Sequence, residues 1–130
     1  MSRYLVDTHV FLWMHASPDR LGAARDVIED EWNELLLSAA SAWEITIKWT
    51  LGKLTLPAPP DRYVPERLNA AATVGLPVTL THALAVGRLP RHHSDPFDRL
   101  LVAQARTEGI PLITADEALR PYDCALVWAG

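Results

Sequence analysis

The sequence predicts an α/β fold, a parallel sheet of five short strands covered by helices on both faces. Three observations predict it. Short apolar runs alternate with longer segments of helical spacing. The runs lack the apolar–polar alternation of a half-exposed strand, as strands buried on both faces do. Helical segments separate the runs, and parallel pairing needs such crossovers, which are right-handed. With 130 residues and 14.4 kDa, the chain is a single domain, 1–130.

The elements follow in order. Tyr4-Leu5-Val6 is the first strand and ends at Asp7. After Ser17-Pro18-Asp19, Leu21, Ala24, Ile28 and Trp32 keep helical spacing over about 20–33. Leu35-Leu36-Leu37 is the second strand, and 39–51 is a helix closed by Gly52. Pro57, Pro59 and Pro60 make a stiff loop. Pro65 suits the first turn of a helix running to Val74 and stopped by Gly75. Pro77-Val78-Thr79-Leu80 is expected as the third strand, with a short helix over 81–87 and a polar, basic loop to Ser94. Asp95-Pro96 opens a helix to Glu108, ended by Gly109. Pro111–Thr114 is the fourth strand, 115–120 one or two helical turns, and Ala125–Trp128 the fifth strand.

Composition narrows the function. The chain is 49% hydrophobic and 22% charged, with mean hydropathy +0.03, which excludes a disordered, coiled-coil or collagen-like protein. Cys124 is the lone cysteine, so neither an intrachain disulfide nor a cysteine zinc site is available. A reducing, cytoplasmic setting is expected, and no apolar stretch is long enough for a membrane span. The net charge of −4 and pI of about 5.7 do not suit a nonspecific nucleic-acid binder. A nucleic-acid substrate would have to be met through metal ions or a local basic strip.

In parallel α/β sheets, ligands sit beyond the carboxyl ends of the strands. Asp7 follows the first strand, and Asp116 comes two residues after Thr114. Either alone reads as a helix N-cap; two on one edge are harder to assign to capping. In Asp95-Pro96-Phe97-Asp98, Asp95 suits the cap and Asp98 falls on the first helical turn, at the strand-terminus end. Glu44 shares with Ser41 and Lys48 the one polar stripe of a helix otherwise lined by Ala42, Trp43, Ile45, Ile47, Trp49 and Leu51. An exposed Glu44–Lys48 pair is worth only about 0.3–0.5 kcal/mol. A polar stripe on a helix packed on several sides instead needs a polar cavity to face. Carboxylates brought together repel one another and bind protons more tightly. Such clusters serve to hold hard cations such as Mg²⁺ or Mn²⁺.

The segments LVDTHVFLW, SAASAWEITIK…LGKL, HSDPFDRLLVAQA and LITAD together resemble, in order and over nearly the whole chain, PIN-domain ribonucleases of the VapC-type toxin group. The resemblance implies a three-layer α/β/α sandwich around a central five-stranded parallel sheet. It implies that Asp7, Glu44, Asp98 and Asp116 form an acidic quartet holding one or two Mg²⁺ ions, with Mn²⁺ as substitute. Thr8 and Thr114 would orient ligands by hydrogen bonds, and Asp95 would cap the helix that carries Asp98. The implied activity is metal-assisted endonucleolytic hydrolysis of RNA that inhibits translation. The implied partners are the RNA substrate, a VapB-type antitoxin and a second copy of the chain, in a homodimer and a toxin–antitoxin hetero-oligomer.

The segment leading into Asp98 is the densest in positive charge. Arg88, Arg91 and Arg99, with His92 and His93, are expected to form a rim gripping the RNA backbone; the bland alternative is a solvated loop. The five tryptophans, 13, 32, 43, 49 and 128, default to core packing. The sharper reading is a partner groove near Leu12, Trp13 and Trp49. A haloacid-dehalogenase-type phosphatase would need an Asp where His9 stands, and a receiver domain an Asp after its third strand, which Thr79-Leu80-Thr81 lacks. The rival from another class is a non-cleaving PIN-like module that binds RNA or protein.

Overall fold

The computed structural model describes residues 2–130. Its sheet has five strands, all parallel: β1 (Arg3–Val6), β2 (Glu34–Ser38), β3 (Thr73–Leu76), β4 (Leu112–Thr114) and β5 (Leu126–Trp128). Their order across the sheet is β3-β2-β1-β4-β5. The chain winds outward from β1 through β2 to β3, then returns to lay β4 on the other side of β1. The switch point therefore falls between β1 and β4, whose carboxyl ends diverge into different connections and open a crevice.

The strands are apolar at nearly every position because both faces are buried. Leu5, Leu36 and Leu112 point into one core, with Leu101, Val102 and Ala105. Their neighbours Val6, Leu35, Leu37 and Ile113 point into the other, with Val10, Phe11, Ile45 and Val64. Helices α1 (Thr8–Ala16), α2 (Ala24–Glu29), α3 (Ala39–Thr50) and α4 (Pro60–Ala70) contribute to the second core; α5 (Leu80–Ala85) and α6 (Pro96–Glu108) flank the first. Burying a Leu or Ile side chain of this kind stabilises by roughly 1.5–3 kcal/mol.

Four expectations are corrected. The helix expected over 20–33 is broken into a 3₁₀ turn (Pro18–Leu21) and α2. The break is at Gly22 (φ 54°), where a Cβ would come within 2.9 Å of the Gly130 carbonyl oxygen. The helix expected from Pro65 begins at Pro60 and holds Pro65 in its interior, and the third strand is 73–76, not 77–80. Here the turn between helix and strand is made by Ala72 at φ 48°, a conformation for which glycine is the usual signal. Pro77 has no N–H to offer the ladder, and β3 stops before it, paired from Leu35↔Thr73 to Ser38↔Leu76. Thr79 instead caps α5, accepting the His82 N–H while its own N–H donates to His82 Nδ1. Finally, none of the five tryptophans is buried. Trp32 is 79% and Trp43 63% exposed, while Trp13 and Trp128 lie under the guanidinium groups of Arg20 and Arg120.

Candidate active site

Asp7 closes β1 and caps α1. Its Oδ1 accepts the Thr8 N–H at 2.7 Å, and its Oδ2 accepts the Thr114 hydroxyl at 2.7 Å. The side chain is 3% exposed. Burial raises its pKa above the ordinary carboxylate value; these two hydrogen bonds and His9 oppose that rise, and the Glu44 charge adds to it. Thr114, the last residue of β4, also accepts the Asp116 N–H at 3.1 Å. Asp116 Oδ1 in turn accepts the Ala118 N–H at 2.9 Å, capping a 3₁₀ turn (Glu117–Leu119). One threonine thus joins the acids at the ends of β1 and β4.

The Ser41–Glu44–Lys48 stripe of α3 faces the same place. Thr8 donates its hydroxyl to Ser41 Oγ at 2.8 Å, which ties α1 to α3. Glu44 is 6% exposed, and its Oε2 is 2.8 Å from Lys48 Nζ. The Lys48 pKa is raised, chiefly by this hydrogen bond; Asp95 and Asp98 add to the rise, while burial opposes it. The Lys48 side chain, 39% exposed, is a half-buried counter-charge to Glu44 that also feels the acids at the start of α6.

Asp98 stands on the first turn of α6, whose cap is Asp95: Asp95 Oδ1 accepts the Phe97 and Asp98 N–H groups at 2.9 and 3.1 Å. Burial pushes the Asp98 pKa up to about 8, helped by the charges of Asp7, Asp95 and Asp116 and by hydrogen bonding with Asp116. The four acids are linked electrostatically: Asp98 feels Asp7 and Asp116, Asp7 feels Glu44, and Lys48, paired with Glu44, feels Asp98. Phe97 meets Trp43 edge-to-face, ring centroids 5.5 Å apart, so each aromatic precedes a site acid in sequence.

The donor set is all oxygen and strongly anionic, which fits Mg²⁺ or Mn²⁺ and not a soft metal. Among the described residues, no three His, Cys, Asp or Glu side chains form a ready-made cage. An ion that keeps several waters and takes one or two carboxylates with substrate phosphate needs no such cage.

The basic rim is only partly there. Arg91 is exposed, next to the segment that enters α6. Arg88 is exposed but lines a cavity with Arg106 and Thr107, far along α6 from Asp98. Arg99 turns inward: it is only 9% exposed, and its guanidinium donates to the carbonyls of Val86, Leu89 and Pro90 and to the Tyr122 hydroxyl. Its aliphatic neighbours on α6 are core residues, and the helix carries it inward with them. His93 also leaves the rim, its Nε2 lying 3.3 Å from Asp98 Oδ2 and its Nδ1 2.7 Å from the Tyr122 hydroxyl. Nothing in the sequence singles out Tyr122, which lies in the turn before β5 and reaches the site only through the fold.

The PIN domain family matches residues 4–123. Ribonuclease VapC22 of Mycobacterium tuberculosis is 30% identical over 122 residues, 94% of this chain and 93% of that protein. Ribonuclease VapC16 of the same organism is 45% identical over 64 residues, 49% of this chain; there the chain spans only 45% of the relative's length. Among solved structures, VapBC2 from Rickettsia felis bound to a promoter DNA fragment superposes with TM-score 0.70 at 13% identity, covering 98% of this chain and 99% of that one. FitAcB from Neisseria gonorrhoeae gives 0.64 at 20% identity, covering 95% of each chain. These superpositions show a shared fold.

Proposed function

As this chain belongs to the PIN-domain family, we propose that it is a Mg²⁺-dependent endoribonuclease, with Mn²⁺ as substitute, and the toxin of a toxin–antitoxin pair that inhibits translation in the cytoplasm. The observation that carries this reading is the clustering of Asp7, Glu44, Asp98 and Asp116 by the β1/β4 switch point, with Asp98 pushed up to about 8 by burial and, after it, by its acidic neighbours. Protein groups alone leave that charge undercompensated, and a divalent ion held by these acids would complete it. When bound, the ion supplies Lewis-acid stabilisation of phosphate oxygens and acidifies water.

The chain's own residues do the positioning. Thr114 holds Asp7 by a hydrogen bond to Oδ2, and the Thr8 N–H fixes Oδ1. Lys48 balances Glu44 and is well placed to meet a substrate phosphate. Exposed Arg91, with Arg88 further out, offers contacts to the RNA backbone.

The names of the relatives and neighbours support a protein antitoxin as partner. Two adjoining apolar grooves between α3 and α4 fit an amphipathic segment. One, of about 550 Å³, is lined by Ala42, Trp49, Pro60 and Val64. The other, of about 350 Å³, shares Ala42 and Val64 and adds Leu68 and Leu76. The Trp13 part of the groove expected from sequence is covered by Arg20. Val74, Val78, Leu80 and Leu84 form a separate exposed apolar patch at the β3–α5 edge, which suits a homodimer contact. No described helix is long and apolar enough to cross a membrane.

The test compares the wild type with Asp7→Asn on total RNA with Mg²⁺ and with EDTA. Cleavage by the wild type in Mg²⁺ alone, and none by the variant despite normal RNA binding, supports the reading. RNA binding without metal-dependent cleavage by the wild type gives the function to a non-cleaving binding module.

A further inference from the structure

Behind Asp98 runs a chain of hydrogen bonds that has only one consistent direction. It starts at the buried Arg99 guanidinium, which donates from Nη1 to the Tyr122 hydroxyl at 3.1 Å and to the Pro90 carbonyl at 2.9 Å. A guanidinium has donors and no acceptor, so at this contact the Tyr122 oxygen accepts. Tyr122 is 4% exposed, and its own hydrogen needs a partner. Among the described residues, the other group in hydrogen-bond reach of that hydroxyl is His93 Nδ1, at 2.7 Å. Tyr122 therefore donates to Nδ1, which leaves Nε2 as the ring nitrogen that carries a proton. That nitrogen lies 3.3 Å from Asp98 Oδ2, to which it donates.

We propose that Arg99, Tyr122 and His93 form a positioning chain that fixes the Asp98 carboxyl group by its Oδ2 and so sets its orientation toward a cation. The proposal rests on the reading of Asp98 as a metal-binding carboxylate. The geometry supports it at each link. The Arg99 guanidinium is anchored by three backbone carbonyls from the segment preceding α6, so the start of the chain cannot swing. The Tyr122 ring is held edge-on by both His92 and His93, at centroid distances of 4.9 and 5.4 Å. His93 is five residues before Asp98, on the far side of the Asp95 cap, so a rigid helix start separates the two ends of the contact.

The test uses the whole protein and Mn²⁺ as probe. The ¹⁵N shifts of the His93 ring in metal-free wild type are expected to show a protonated Nε2 and a bare Nδ1. In Tyr122→Phe, which keeps the ring packing, that single tautomer should give way to a mixture. Mn²⁺ affinity, read by the electron paramagnetic resonance of the free ion, should fall about tenfold in Tyr122→Phe and about 10–100-fold in His93→Ala. His93→Gln, whose amide N–H can still reach Asp98, should recover most of the loss. Melting curves identify any variant that fails to fold; the tautomer in the wild type remains decisive in that event. A wild-type ring protonated on Nδ1, or Mn²⁺ affinity unchanged in both Tyr122→Phe and His93→Ala, overturns the positioning chain and leaves the nuclease reading standing. A wild type that binds no Mn²⁺ removes the metal reading itself, and the chain's role with it.

Discussion

The Thr114 hydroxyl donates to Asp7 Oδ2 at 2.7 Å across 107 residues of sequence, and Thr114 Oγ1 itself accepts the Asp116 N–H. It joins the first and last acids of the site through a single side chain at the sheet's switch point. Thr114→Val keeps the shape and removes both bonds. A buried carboxylate that loses a hydrogen bond costs about 1–3 kcal/mol. Chemical denaturation should show a loss of this size, and Mg²⁺ affinity measured by calorimetry should fall about 10–100-fold. An unchanged affinity would mean that Thr114 serves the fold alone.

Stability should depend on pH in a direction set by Asp98. Its folded pKa lies at about 8, above the ordinary 3.8. An acid whose pKa is raised on folding binds its proton more tightly in the native state. Its contribution is then fully present below the unfolded value and lost as pH rises through the folded one. The metal-free protein should therefore melt at progressively lower temperature from about pH 4 to pH 8, and Asp7, raised for the same reason, acts in the same direction. Asp98→Asn should flatten this dependence while abolishing cleavage. Thermal melts in EDTA across this range would check both.

The arginines flanking the acidic helix start should part company on mutation. Arg99→Ala leaves three carbonyls and the Tyr122 hydroxyl short of a donor, and should cost about 2–4 kcal/mol in stability. Arg91→Ala should leave stability within about 0.5 kcal/mol, as exposed substitutions do. It should instead weaken RNA binding and reduce its salt slope by about one unit. Denaturant melts and binding titrations at several salt concentrations separate the two effects.

Blocking the α3–α4 groove should prevent antitoxin binding without touching the acids. Ala42 and Val64 border both grooves. Ala42→Arg places a charge at their junction and should reduce antitoxin affinity more than tenfold while RNA cleavage continues. Co-purification of the tagged pair, with cleavage assayed in parallel, gives the answer; loss of cleavage together with binding would place the groove elsewhere.

The residues by themselves determined the layered α/β class, because strands such as Leu35-Leu36-Leu37 have no polar side and must be covered twice. They also singled out the four acids as candidates, because Asp7 and Asp116 follow strands, Asp98 falls on the first turn of α6, and the one polar stripe of α3 runs through Glu44. Local chemistry was enough for the Asp95-Pro96 helix start and the Gly109 stop. It was not enough for β3: Ala72 took the positive φ that a glycine would have announced, and Pro65 sat inside a helix that tertiary packing upheld against its missing N–H. Only the tertiary structure decided that Arg99 turns inward, that His93 reaches Asp98, and that Tyr122 stands between them. Those contacts join residues from separate turns, and their directions come from which groups are buried together. Burial is a property of the packed chain, and no local pattern in the sequence encodes it.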